Sequence, residues 1–141
     1  MNTRPTYETK AHLTAESELA SWAALAWSCD MRKQDKFNQF DYLAIRGRDV
    51  FAFVEMRCRA NSVKAYSTCF ISVNKLANAQ LMNLATGLPC LFLVRWSDAI
   101  GWANMTTQYP TILGGRNKVR DAADIEAIGE IPISEFKLCR P

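Results

Sequence analysis

Two β-rich runs, FDYLAIR (40–46) and DVFAFVEMRCR (49–59), are separated only by Gly47 and Arg48, with Asp49 opening the second. Apolar stretches of this length broken by a glycine-containing turn specify a hairpin of two adjacent antiparallel strands. Side chains alternate along a strand, so Glu55, Arg57 and Arg59 project to one face of the second strand, and Val54, Met56 and Cys58 to the other. The hairpin therefore carries a carboxylate in mid-strand among apolar neighbours. Burying a lone carboxylate costs several kcal/mol, on the order of the desolvation of one ion, unless it is paired.

The rest of the chain reads around this hairpin. TAESELASWAALAWSC (14–29) places Leu19, Trp22, Ala23, Ala26 and Trp27 at helical spacing, with Thr14 as its N-cap. The segment DMRKQDKFNQ reads as a polar connector. Between Asn61 and Gly87, Leu76, Leu81, Leu84 and Ala85 recur at helical intervals until Gly87 and Pro89 end the pattern. CLFLVRWSD, apolar up to Arg95, predicts a strand buried on both faces, with 100–105 pairing beside it. The order is α-β-β-α-β-β. TQYPTILGGRNKVRDAADIEAIG then reads as a long charged loop, and IPISEFKLC as one short C-terminal strand.

The 141 residues, 49% of them hydrophobic, suffice for one domain spanning 1–141 with a single core. The five cysteines, Cys29, Cys58, Cys69, Cys90 and Cys139, form no CxxC pair and read as reduced, buried thiols. With no apolar leader at MNTRPTYETK and no run of spanning length, the expectation is a cytoplasmic protein with no membrane association. The net charge of +3 is compatible with a polyanionic partner without requiring one.

His12 is the only histidine, so neither a histidine-based triad nor a histidine-rich zinc site can be assembled. No GxxxxGK[ST] or GxGxxG element is present, and Gly114-Gly115 lacks the strand–helix setting of a phosphate cradle. Carboxylates must carry any chemistry. Glu55 either pairs with Arg46, Arg57 or Arg59, or holds a cation. Asp41 at the head of one strand, Glu55 within the next and Glu16 or Glu18 on the first helix are three hard oxygen donors suited to Mg2+ or Mn2+.

Asp41 and Glu55, with thirteen residues between them, and the tripeptide Glu55-Met56-Arg57 resemble the motif of the PD-(D/E)XK nuclease superfamily. The fold order α, β, β, α, β agrees. A closer likeness is to small phage and prophage proteins of that superfamily, carried by GGRNKVRDAADIEAIGEIPISEFK, by the hairpin and by ATGLPCLFLVRW. The resemblance implies an α/β (α+β) restriction-endonuclease-like core, with a mixed central sheet flanked by helices. It implies a metal-dependent DNA nuclease, and Glu16 resembles the helical acid of Holliday junction resolvases. Glu16 shares a helical face with Ala20, Ala23 and Trp27, whereas Glu18 is expected to face solvent or a basic neighbour.

By the same resemblance, Asp41, Glu55 and Arg57 are the catalytic residues, and Glu16, Asp41 and Glu55 the ligands of Mg2+ or Mn2+. Arg57 stands where the motif has lysine. It can hold phosphate, but its guanidinium is no practical base. Superfamily members that move the lysine to another element make Lys64 or Lys75 alternatives, although both also read as solvated surface residues. Gln80 reads equally as a helix residue aimed at the site or as an exposed one. Arg46, Arg48, Arg59, Lys64, Arg116 and Arg120 are the expected DNA contacts, with Lys118 beside them. Trp22, Trp27 and Trp96 read as core, leaving Trp102 open. Resolvase-like members pair two sites, which allows a homodimer. The same residues also suit a nuclease-derived module that binds DNA, or regulates, without cutting.

Overall fold

The computed structural model describes residues 10–35, 38–115 and 125–139. Its elements in chain order are α1 (Lys10–Ala26), β1 (Asp30–Lys33), β2 (Tyr42–Arg46), β3 (Asp49–Cys58), β4 (Thr68–Ser72), α2 (Val73–Thr86), β5 (Cys90–Arg95), β6 (Ile100–Asn104), β7 (Thr111–Gly115), β8 (Ile125–Pro132) and β9 (Lys137–Cys139), with a 3-10 turn at Ile133–Glu135. A six-stranded sheet runs β1-β2-β3-β5-β6-β9, and a three-stranded sheet runs β4-β8-β7. Only the β3–β5 pair is parallel among the described ladders. The large sheet is thus mixed, as expected.

The hairpin forms where the sequence puts it. Arg46 pairs with Asp49 around Gly47, whose φ of +65° lies in the left-handed region that glycine enters without steric cost. Gly87 ends α2 in the same way, at φ +73° with its N–H on the Asn83 carbonyl. Both faces of the large sheet are covered, which explains the continuously apolar β5. On one face Leu19, Ala20 and Ala23 of α1 pack with Ala52, Val54, Met56 and Leu93. On the other, Leu76 and Ala79 of α2 pack with Cys90, Phe92, Val94, Ile71 and Ile131.

Several expectations need correction. The first helix runs 10–26, beginning four residues before Thr14 and ending at Ala26. The connector contains a strand, β1, which pairs with β2 through its backbone while its side chains stay mostly exposed. The second sheet was not anticipated. β7 and β8 occupy part of the segment read as a charged loop, and β8 joins them to β4. Cys69 and Cys90 are buried, but Cys58 and Cys139 are exposed and Cys29 is half-buried. Trp102 is not open either: its ring lies 5.5 Å from that of Trp27 and 6.2 Å from that of Trp22. No helix among the described residues is long and apolar enough to cross a membrane.

Candidate nuclease site

Glu55 is 1% exposed, the one charged side chain buried among the described residues. Val54 and Met56 point into the α1 cluster and Phe53 packs with the α2 cluster, so alternation puts Glu55 on the α2 side of the sheet. There its Oε2 meets the Lys75 ammonium at 2.6 Å and Arg57 Nη1 at 3.7 Å. Asp41, immediately before β2, accepts the Met56 N–H at 2.8 Å on one carboxylate oxygen. Burial and then the Asp41 charge push the Glu55 carboxyl above its ordinary value, while Lys75 and Arg57 pull it down. Two like charges that act on each other are a source of repulsion that a cation relieves.

Lys75 is the residue the sequence reading undervalued. It is no solvated surface lysine: it stands in the first turn of α2, 20 positions from Glu55. A cation at a helix N-terminus is opposed by the helix dipole. That placement was the available signal that an acid waits opposite it. Of the three arginines offered as partners of Glu55, Arg57 is the one that pairs with it, while Arg46 and Arg59 bond backbone carbonyls elsewhere.

Glu16 and Glu18 separate as their helical faces predict. Glu18 is largely exposed and bonds Arg95 at 3.0 Å, whereas Glu16 is only 17% exposed and is held by Lys33 at 3.1 Å. The Tyr42 hydroxyl is shifted upward, first by burial and then by Glu16, with Lys33 opposing and Asp41 adding, so Glu16 and Asp41 act on one phenol. Even so, no group of three His, Cys, Asp or Glu side chains among the described residues is arranged to hold a metal ion. The expected three-acid set is present as a pair, Asp41 and Glu55, with Glu16 engaged by Lys33. The pair fits a hard divalent cation by chemistry: two carboxylates in mutual repulsion, one of them anchored through a single oxygen.

The expected DNA contacts divide by position. Arg46 donates to the Trp27 and Ser28 carbonyls at 2.7 and 3.2 Å and lies 4.4 Å over the Phe51 ring. It closes the C-terminal end of α1, at the far end of the hairpin from Asp41. Exposed Arg48 sits in the same turn, roughly 20 Å from the carboxylates by strand rise. Arg57 is 44% exposed beside Glu55. Arg59 follows on the same face and donates to the Phe70 carbonyl at 3.0 Å. Lys64 is exposed in the loop after β3. Gln80 is exposed on α2. Arg116, Lys118 and Arg120 lie outside the described residues.

A parallel β3–β5 core crossed by α2, with an acid before β2, an acid within β3 and an ammonium against it, defines the restriction-endonuclease-like class of fold. Comparison with solved structures finds this fold in Hjc, a Holliday junction resolvase from the archaeal hyperthermophile Archaeoglobus fulgidus, at a TM-score of 0.51 and 12% identity, covering 87% of this chain and 97% of that one. At that identity the likeness establishes the fold alone. No curated protein matches the sequence. The family model described as "Phage putative PDDEXK endonuclease" matches residues 2–139, and the chain belongs to that family. That family is one of the PD-(D/E)XK nucleases, and the fold agrees with it.

Proposed function

We propose that the protein hydrolyses DNA phosphodiester bonds at Asp41 and Glu55 with Mg2+ or Mn2+, and that Lys75 takes the part the superfamily motif gives to lysine at position 57. The observation that carries the reading is the Lys75 ammonium, 2.6 Å from a carboxylate that is 1% exposed. Asp41 and Glu55 would hold the cation, and Glu16 would join them on releasing Lys33. A bound divalent cation supplies a polarised phosphate and a water of lowered pKa.

The chain's own groups supply the rest. Asp41 accepts the Met56 N–H on one oxygen, which leaves the other free to face a cation. Lys75 pulls the Glu55 carboxyl down against burial and can orient a water through its remaining donors. Arg57, half exposed on the same face, offers a planar fork to a phosphate oxygen. This division of labour explains why arginine is tolerated at position 57: phosphate binding needs the charge and the fork, while proton handling falls to an amine. Phage origin, action inside a bacterial host cell and pairing of two copies into a homodimer belong to the same proposal.

The test is cleavage of labelled duplex, single-stranded and branched DNA with Mg2+ or Mn2+, alongside Asp41→Ala, Glu55→Ala and Lys75→Ala. Metal-dependent cutting lost in all three variants is the expected result. Cutting that survives Lys75→Ala but fails in Arg57→Ala would return the lysine role to position 57. Absence of cutting with DNA binding intact would favour a binding or regulatory protein, in which the Lys75–Glu55 pair is a structural lock.

A further inference from the structure

A pocket lies on the same face of the sheet, beyond the carboxylates. It encloses about 290 Å³ and is lined by Arg59, Asn61, Tyr66, Ser67, Thr68, Cys69, Phe70 and Trp96. Its aromatic content has two parts. Trp96 is buried at 4% exposure, edge-on to Phe136 at 5.2 Å, and forms fixed floor. Tyr66 and Phe70 are 69% and 46% exposed, although both border a pocket they could have filled. Large exposed rings around a concavity are a cost in water unless something stacks on them.

The polar lining is equally specific. Arg59 enters from β3, where its own N–H continues the ladder to the Arg95 carbonyl at 2.7 Å. Its guanidinium is braced on the Phe70 carbonyl at 3.0 Å. The Phe70 carbonyl takes one of its five donors and the Cys69 sulfur, which it also hydrogen-bonds, another, so the planar group is held at the pocket wall. Asn61, Ser67 and Thr68 add neutral donors and acceptors. No carboxylate is among its lining residues, and the Arg57 charge is felt at Cys69 in its wall. The pocket matches an electronegative ligand with a flat π-face.

Arg59 stands four residues beyond Glu55 on one strand face, roughly 13 Å along β3. A nucleic-acid strand with one phosphate at the carboxylates would reach the pocket within roughly four nucleotides of duplex rise, and sooner if extended. A paired base cannot enter, because its faces are stacked on its neighbours and its edge is engaged. An unpaired base can.

We propose that this pocket binds one unpaired nucleobase of the substrate, stacked against Tyr66 and Phe70 with Arg59 on its flanking phosphate. The inference rests on the nuclease reading and deepens it. The substrate is a strand with single-stranded character within a few nucleotides of the cut, such as a flap, a frayed end or a branch point.

The experiment measures binding of a fluorescein-labelled twelve-nucleotide oligo-dT and of a blunt duplex of equal length to the full chain in EDTA. Wild type is compared with Tyr66→Ala, Tyr66→Trp and Arg59→Gln. Stacking of one base on one ring predicts that Tyr66→Ala weakens oligo-dT binding by about 5- to 100-fold, with duplex binding changed less than about 2-fold. Tyr66→Trp restores the wild-type value, which a merely structural role would not produce. Arg59→Gln weakens oligo-dT and steepens nothing in its salt dependence; the slope of log K against log salt falls instead by about 0.7, one single-strand phosphate contact. Equal loss on both DNAs, or no loss on oligo-dT, overturns the proposal. The nuclease reading is judged separately, by metal-dependent cutting in wild type and Asp41→Ala. A chain that stacks oligo-dT but never cuts retains the pocket and loses the reading, and a chain that cuts without Tyr66-dependent binding does the reverse.

Discussion

Replacing Lys75 with methionine keeps the aliphatic length of the side chain and removes the ammonium from Glu55. The remaining cation, Arg57, stands at 3.7 Å and is half exposed, too distant for a direct hydrogen bond. Breaking a fully buried ion pair costs on the order of 3–5 kcal/mol. Lys75 is 32% exposed, so solvent already screens part of the attraction, and the expected loss at neutral pH is about 2 kcal/mol. Urea titration at 25 °C reads this as a lower midpoint at unchanged slope.

The pH dependence distinguishes this cause from lost packing. Burial and Asp41 hold the folded-state Glu55 carboxyl above its unfolded value, and losing Lys75 raises it further. A carboxyl raised in the folded state binds more protons there than in the unfolded chain, so stability falls as pH rises from the unfolded value of 4.5 through the folded one. Lys75→Met should therefore fall further behind wild type as pH rises through that window and recover as acid protonates Glu55. A deficit below about 0.5 kcal/mol, or one independent of pH between 4.5 and 7, would refute the claim that the ammonium neutralises Glu55.

Three other outcomes follow from the same geometry. Asp41→Asn removes the like charge, so the Glu55 carboxyl titrates lower, readable by carboxyl NMR; millimolar Mg2+ should raise the melting temperature of wild type but not of this variant. Arg46→Ala strips the Trp27 and Ser28 carbonyls of a charged donor and should cost about 1 to 2 kcal/mol in thermal unfolding while leaving DNA affinity unchanged. Gly129→Ala would place a Cβ 2.5 Å from Leu76 Cδ1 and 3.5 Å from the Ile71 carbonyl; it should cost about 1 to 3 kcal/mol by overpacking and reduce cleavage by displacing α2.

The hairpin, α2 and β5 were legible because each is fixed by local signals. Gly47 and Gly87 sit where positive φ is required, and the apolar run at 90–94 leaves no exposed face. β1 was illegible because DMRK has no apolar side to declare; it exists through backbone pairing with β2. β8 was hidden by Gly129, an inward position kept empty for Leu76. The same locality governs the site. Asp41 and Glu55 share a hairpin, so their spacing can be read, whereas Lys75 reaches Glu55 only through the packing of α2. Arg46 is the opposite case: a basic residue on the same hairpin whose guanidinium is engaged by the Trp27 and Ser28 carbonyls. Glu16 was placed on the correct helical face, but its engagement with Lys33 depended on a strand the sequence did not announce.

The position of α2 between the two sheets has a consequence for modularity. The carboxylates are mounted on the large sheet, but the ammonium rides on a helix wedged by β4 and β8, which contribute no other group to the carboxylate pair. The three-stranded sheet is therefore no detachable ornament. A fragment trimmed to the β2–β3–β5 frame would keep both acids and lose the brace that aims Lys75 at them. Sequence drift in β8 could then shift the Lys75–Glu55 contact from a distance, leaving the motif itself untouched.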